Sequence, residues 1–598
     1  MANRQFSFGQ TPTIRMSRSK FDLSFHHKTA FNVGDLVPFL VQEIYPGDTF
    51  KVDSTFVSRV SSSFLKPVVD NLFLDTYYFF VPNRLVMDEW SAVMGENKKS
   101  AWAPSNPTYV PYMISGSSLP VPNGTRINIP SNTVGDYMGL PTNVDLPDGI
   151  NLLPFRAFAL IYDEWFRDEN NIDPMNILKT SGGSNTPELP NDLPWSSSNY
   201  TGRLPKVAKL HDYFTSALPA PQKGASVPIS LGSQIPVVFP NSVDGEQWVY
   251  ASGKSADLSG LPGTTTLSPL RWRQVLGSAP AFSVGARPIL AATNTTDTTT
   301  GIYPSTSAGA NDTTITLGNS VTPTNLALST TGIFADPSNA QDTFNVNDLR
   351  FAFQLQKFLE KDARGGTRYI EFLKSHFGVN APDYRLQRSE FLGGRRNPIS
   401  IQQVSQTSQP TADSPLGAVG AFSLSSGSAR YNKGFVEHGF VIGVMCIRQF
   451  HTYQQGVNKM WFRNSRYDYY DPLFANLGEQ PVYTNELYVG SNANGSNLKG
   501  SVFGYNEAWA DLRYKPSYVT GEMRSNATNS FDVWHFADNY SSAPTLSQQF
   551  IEETPTYVDR ALSVPSSSES QFLVDIYCKQ TAFRVMPTYS VPGLIDHH

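Results

Sequence analysis

The sequence predicts a mainly β chain: an antiparallel sandwich whose inter-strand loops have been greatly expanded. Three observations carry this. Strand-like text sits near both ends, where Phe50, Val52, Phe56 and Val60 alternate with Lys51, Asp53, Thr55 and Arg59, and Phe572, Val574, Ile576 and Cys578 alternate with Asp575 and Lys579. Helical periodicity and long Pro/Gly/Ser/Asn stretches fill the middle. Charged residues are only 16% of the chain, against roughly 25% in ordinary soluble domains. Sparse charge suits a β-rich chain with Ser/Thr/Asn loops, and equally a surface buried against partners.

The bulk numbers narrow the class. At 598 residues with 40% hydrophobic side chains there is ample core material. A net charge of -5 argues against bulk electrostatic binding of polyanions, so any nucleic-acid contact must be local. Cys446 and Cys578 cannot build a disulfide framework and stand in no C-x-x-C, which predicts buried, reduced thiols. No apolar run reaches the roughly 18 residues of a membrane span. Met1-Ala2-Asn3-Arg4-Gln5 begins no signal peptide, so the expectation is folding in a reducing cytoplasm without membrane insertion.

Taken in order, residues 1–20 carry Arg4, Arg15, Arg18 and Lys20 with no acidic residue. Such an extended arm either neutralises phosphates inside a nucleoprotein particle or is an exposed terminus with incidental charge. Pro46-Gly47 marks a turn before the first alternating strand, and the aromatic and aliphatic run 72–81 reads as another, closed by Pro82-Asn83. A short helix is expected over 86–94, ending at Gly95, followed by a Pro/Gly/Ser/Asn-rich excursion over 100–150. Pro154 opens a better helix, with Phe155, Phe158, Ile161, Tyr162, Trp165 and Phe166 on one face and Arg156, Asp163, Glu164 and Arg167 on the other. Residues 181–340 are poor in core-forming side chains, and 291–340 contains three Asp and no Lys or Arg. Either disorder or an outward β-rich projection fits, with Ile302, Ile315, Leu317, Val321 and Leu328 in short strands.

The stretch 345–398 predicts two amphipathic helices and an arginine-dense loop. Leu349, Ala352, Leu355, Phe358 and Leu359 fall at helical spacing, then Tyr369, Ile370, Leu373 and Phe377, with Gly378 as the stop. In the loop, Arg385, Arg388, Arg395 and Arg396 are interleaved with Tyr384 and Phe391. They could clamp single-stranded nucleic acid, but the favoured reading is bidentate bonding to carboxylates and carbonyls of an adjoining subunit. Residues 400–427 read as a polar linker, 440–447 as a strand and 461–470 as an aromatic-basic segment.

Templates for chemistry come back empty. Gly253-Lys254-Ser255 lacks the upstream P-loop glycine, since Trp248 stands there. Glu437-His438, His26-His27 and His211-Asp212 have no partners at metal-ligand or triad spacing and read as structural. No catalytic, cofactor or metal residue is assigned.

Several motifs in order nonetheless resemble one family. Residues 160–170 read Leu-Ile-Tyr-Asp-Glu-Trp-Phe-Arg-Asp-Glu-Asn, and 211–219 read His-Asp-Tyr-Phe-Thr-Ser-Ala-Leu-Pro. Residues 361–369 read Lys-Asp-Ala-Arg-Gly-Gly-Thr-Arg-Tyr, followed by Lys-Ser-His-Phe-Gly-Val at 374–379. Thr-Tyr-Gln-Gln-Gly at 452–456, Tyr-Lys-Pro-Ser at 514–517 and Tyr-Ser-Val-Pro-Gly-Leu-Ile-Asp-His at 589–597 complete the set. Together they resemble the major capsid protein of microviruses, small circular single-stranded DNA bacteriophages, and most closely the gokushovirus branch.

The resemblance implies an eight-stranded antiparallel jelly roll of viral capsid type with long loop insertions containing several helices. It implies a T=1 icosahedral shell of sixty copies around circular single-stranded DNA, assembled in the cytoplasm of a bacterial host. Implied partners are an internal scaffolding protein, a small basic DNA-packaging protein, a minor DNA-pilot protein and a host surface receptor. The corresponding organisation is a basic arm over 1–30, the first part of the jelly roll with helical insertions over 31–221, a variable insertion over 222–342 forming a threefold protrusion, and the remaining strands over 343–598. The expected DNA contacts are Arg4, Arg15, Arg18 and Lys20; the expected subunit contacts are Arg364, Arg368, Arg385, Arg388, Arg395 and Arg396. Thr298, Tyr303 and Asn311 are the expected host-contact residues. A carbohydrate-binding or carbohydrate-active jelly roll is the alternative, although neither a paired-carboxylate site nor a secretion signal is found.

Overall fold

The computed structural model describes residues 17–96, 110–113, 127–146, 150–180, 193–227, 346–409, 415–490 and 499–590, with short strand fragments between 237 and 335. The chain divides into two compact units, Met1–Ala225 with Lys357–His598, and Ser226–Gln356. Within the described part of the second, short antiparallel pairs such as Leu290–Ala292 with Leu326–Leu328 and Glu246–Tyr250 with Arg271–Gln274 are present.

The first unit is built on β1 (Ser19–Asp22), β2 (Phe25–Phe31), β3 (Val37–Ile44), β4 (Thr49–Val60), β5 (Leu72–Pro82), β6 (Glu390–Ile399), β7 (Ile401–Ser405), β8 (Val419–Gly434), β9 (Gly439–Gln449) and β10 (Phe572–Arg584). A six-stranded sheet has the order β1-β10-β4-β8-β7, with β2 also paired to β10; a four-stranded sheet has the order β6-β5-β9-β3. Stripped of the short β1 and β7, the two orders are β2-β10-β4-β8 and β6-β5-β9-β3, which is the two-sheet connectivity of a jelly roll. The predicted fold class holds, with two short strands added to the expected eight.

Period-two patterning makes the inner core. Phe50, Val52 and Phe56 of β4 are fully buried, as are Phe572, Val574 and Ile576 of β10. They meet the four-stranded sheet edge-on: the rings of Phe39 and Phe56 lie 5.3 Å apart, and the Tyr78 hydroxyl donates to Ser54 Oγ at 2.6 Å. Each such ring contributes about 1.5–3 kcal/mol of burial. Cys446 and Cys578 are free and buried.

Two expectations fail, for related reasons. The polar linker expected at 400–427 contains β7 and much of β8. β8 turns Ala421, Ser423, Ser425, Ala429 and Tyr431 inward. Four of these five are small, and the fifth, Tyr431, reaches across to Tyr78 of the other sheet, 4.9 Å away. Likewise, the arginine-dense loop ends at Ser389; 390–398 is β6, paired along its length with β5. A bulge between Phe391 and Gly393 shifts the alternation, and Gly-Gly-Arg-Arg hides it.

Long segments leave the sandwich at two places, between β5 and β6 and between β9 and β10. From the first comes α1 (Leu153–Ile161), continued by a single π turn, Tyr162–Phe166, which packs on the outer face of the four-stranded sheet. Phe155, Phe158, Ile161 and Tyr162 are buried as predicted, but Arg156 is buried too, donating to the Thr180 carbonyl at 3.0 Å. The helix expected over 86–94 is two short turns, Asn83–Val86 and Trp90–Val93. The helices α2 (Val346–Gly365) and α3 (Tyr369–Phe377) form where predicted. Gly378 ends α3 at φ 69°, a conformation that a Cβ would strain. Phe358, Tyr369 and Phe377 stay exposed, so neither helix buries its apolar face as the sequence led us to expect. Among the described residues, no helix is long and apolar enough to cross a membrane.

Candidate interaction surfaces

Four of the six arginines expected at subunit contacts are held by their own chain. Arg368 pairs with Glu169 at 2.8 Å and donates to the Asp163 and Arg167 carbonyls at 2.9 and 3.0 Å, satisfying the end of the π turn. Arg388 stacks on Trp165 at 4.8 Å and donates to the Glu164 carbonyl at 3.1 Å. Beside it, Ser389 donates from N and Oγ to Glu164, whose carboxyl is raised above its usual range by burial. Arg364 pairs with Glu479. Arg396 binds Asp75 bidentately at 2.7 and 2.9 Å, and Arg448 of β9 joins the same buried carboxylate. Arg385 and Arg395 are exposed and make no ion pair among the described residues.

Of the expected DNA-contacting residues, Arg4 and Arg15 lie outside the described residues. Arg18 and Lys20 are exposed, and from Ser19 onward the chain is paired into the six-stranded sheet rather than extending as an arm. That pairing brings Lys20, with Asp22 between it and Lys579, to the side of a cluster not recognised from the sequence. On the outer face of this sheet, Lys51, Arg430 and Lys579 all point to solvent. The register places Asp53 between Arg430 and Lys579, and Lys51 opposite Asn432. Further along, the rings of His26 and Tyr577 lie 4.7 Å apart. The signal is present in the alternation of β4 and β10, whose polar half includes Lys51 and Lys579.

At its other end this outer face is apolar. Phe422 and Leu424 of β8, Val404 of β7 and Leu573 of β10 are exposed, with Leu424 and Leu573 flanking Arg59. A second open apolar surface lies between β9 and β10, where Trp461, Tyr467 and Leu473 are 67%, 76% and 89% exposed. Thr298, Tyr303 and Asn311 lie outside the described residues.

One buried cluster was not foreseen at all. His451 Nδ1 lies 2.7 Å from Asp538 and its Nε2 3.1 Å from Glu553, while Lys209 reaches Asp538 at 3.3 Å and the Tyr540 hydroxyl donates to Asp538 at 2.7 Å. Burial opposes charge on the imidazole, but the two carboxylates overcome it and push His451 up to about 10. Asp538 moves the opposite way: burial favours its neutral form, and His451 and Lys209 hold it well below the ordinary value. The cluster ties 209, from the first insertion, to three points of the second. His26, His27 and His438 have ordinary structural partners: Tyr577, the Phe39 carbonyl, and the rings of Tyr45 and Trp90. Among the described residues, no group of three His, Cys, Asp or Glu could hold a metal.

The described residues offer surfaces for contact, and comparison with known proteins gives their setting. The family model described as capsid protein (F protein) matches residues 9–594. The chain belongs to this capsid family. Capsid protein VP1 of Chlamydia phage 1 is 38% identical over 99% of this chain and 98% of its own length. VP1 of Bdellovibrio phage phiMH2K is 37% identical and that of Spiroplasma virus 4 is 38% identical, each over the same shares. A member of this family is a structural, non-enzymatic protein of the virion, working as many copies in a shell. The carbohydrate-binding alternative is not favoured.

Proposed function

We propose that the chain is the subunit of a T=1 icosahedral shell of sixty copies enclosing a circular single-stranded DNA genome. In this reading the 1–20 segment and the basic end of the six-stranded sheet face the DNA. The observation that carries it is the exposed grouping of Lys20, Lys51, Arg430 and Lys579 beside the strand into which the basic N-terminal segment leads. Cations on a sheet face follow a phosphate backbone, and Tyr577 with His26 adds a ring surface on which bases stack. Replacing Lys51, Arg430 and Lys579 together by Glu should lower the DNA content of particles without unfolding the subunit, since all three are exposed. Arg4, Arg15 and Arg18 changed together to Ala should act in the same direction. Full DNA content in normal particles from both variants sinks the assignment.

Assembly in the bacterial cytoplasm with scaffolding, DNA-packaging and DNA-pilot proteins belongs to the same reading. Arg385 and Arg395, exposed and without carboxylates of their own, are the arginines best suited to reach an adjoining copy. The variable insertion 222–342, with Thr298, Tyr303 and Asn311, is assigned to host attachment. Replacing 291–340 by a short Gly/Ser linker should leave particles intact and reduce binding to host cells; loss of particles would instead make it part of the shell.

A further inference from the structure

The six-stranded sheet ends in β7, and no described strand pairs with its far edge. The phase of the ladder fixes which backbone groups that edge presents. Gln406 N–H donates to the Ala418 carbonyl at 2.7 Å, making 406 and 418 a hydrogen-bonded pair. Counting back along the unbroken register Ile401↔Ser423 to Ser405↔Val419, residues 402 and 404 also turn their N–H and C=O toward β8. Ile401, Gln403 and Ser405 therefore turn theirs to the open side. The opposite flank of β8 confirms the phase independently: Ala421, facing Gln403 in the register, spends its own groups on Phe64, at 2.9 and 3.4 Å.

An open edge invites another strand, and proteins ordinarily blunt it with lysine, proline or a bulge. Here 401–409 reads Ile-Gln-Gln-Val-Ser-Gln-Thr-Ser-Gln, with neither charge nor proline, and the register is unbroken. Its own Val404 and the neighbouring Phe422 and Leu424 of β8 are exposed. An uncharged strand has nothing to repel its own copy, and a subunit of a shell meets that copy at high local concentration. We propose that β7 is a docking edge for β7 of a second copy, the two pairing antiparallel about a twofold axis midway between Gln403 and its mate. Only an even-sum register keeps both sheets the same way up, and centring on Gln403 uses the outward groups: Gln403 with its mate, Ile401 with the mate's Ser405. The paired edges join two six-stranded sheets into one and bring the apolar ends of both outer faces together.

This goes beyond the DNA and host assignments and needs only that copies assemble. Two measurements on assembled particles test it. Hydrogen-bonded antiparallel partners have Cα atoms about 5.5 Å apart, within disulfide reach. Gln403→Cys should therefore cross-link to a dimer on mild oxidation, against a background of buried native thiols, while Asn432→Cys, exposed at the far end of the sheet, stays monomeric. Gln403→Lys alone and Gln403→Glu alone place like charges opposite one another and should each cut particle yield about tenfold. Mixing the two variants should restore it, which a folding defect would not. Gln403→Cys particles that remain monomeric, or charge variants that assemble normally or are not rescued by mixing, overturn the proposal.

Discussion

The outer faces of the two sheets have opposite fates. On the four-stranded sheet, α1 and its π turn cover Phe79, Val81, Ile442 and Val444, and at the other end Arg396 and Arg448 close over Asp75. On the six-stranded sheet, no described element covers Lys51, Tyr577, Phe422 or Leu573. One face is finished within the chain; the other is left with cations at one end and apolar side chains at the other. A subunit whose low charge is spent this way has its stability on one side and its partners on the other. Substitutions on the covered face should therefore act on folding, and those on the bare face on assembly.

The largest expected effect breaks the covering. Phe158 of α1 is fully buried in the cluster between helix and sheet. Phe158→Ala should cost about 3–5 kcal/mol, as the helix cannot collapse into the space of a ring. Denaturant unfolding of the soluble subunit measures it, and a cost below about 1 kcal/mol would mean that α1 is not a structural lid. At the other end of the same face, Asp75→Ala leaves two guanidinium groups without their shared carboxylate. The loss should be about 3 kcal/mol, on the lower side for a broken buried pair because Arg396 can turn partly to water. Combining Asp75→Ala with Arg448→Met should recover part of it.

The buried His451 cluster adds a pH test. The folded-state value is raised, so its contribution is complete below the ordinary value near 6.5 and is lost as pH rises through about 10. Between those limits the native state holds one proton more than the unfolded chain. Stability should fall by about 1.4 kcal/mol per pH unit. His451→Gln should flatten that slope while lowering stability at pH 7; an unchanged slope would show that the imidazole is neutral. The depressed Asp538 works in the opposite direction, its contribution being lost only as pH falls below the ordinary carboxylate range.

Much of this was legible in the sequence, unevenly. β4 and β10 announced themselves because large apolar and polar residues alternate without a break. β8 did not, because four of its five inward side chains are Ala or Ser, and what buries them is the opposite sheet, a fact of tertiary structure that no local window contains. β6 was hidden by a bulge and four residues of Gly and Arg. For the surfaces, sequence identified the arginines as bond-makers but not the identity of their partners: Glu169 meets Arg368, and Asp75 meets Arg396, across 198 or more positions of intervening chain. His451 could not be assigned because its two carboxylates come from separate turns of the second insertion. The basic end of the bare face was spelled out by Lys51 and Lys579, but only pairing brings Arg430 and Lys20 beside them.

The smallest effect sharpens the comparison on one strand. Along β10, Leu573 faces out, 44% exposed, and Ile576 faces in, fully buried. Ile576→Ala should destabilise the subunit by about 2–5 kcal/mol, whereas Leu573→Ala should stay within about 0.5 kcal/mol. If the bare face is kept for contacts, Leu573→Ala should still slow assembly, since Leu573 belongs to the apolar strip with Leu424 and Phe422. Light scattering on the folded variant separates the two outcomes. Normal assembly kinetics together with unchanged stability would make this end of the face idle surface, and the division between a sealed sheet and a docking sheet would then rest on its basic end and its open edge alone.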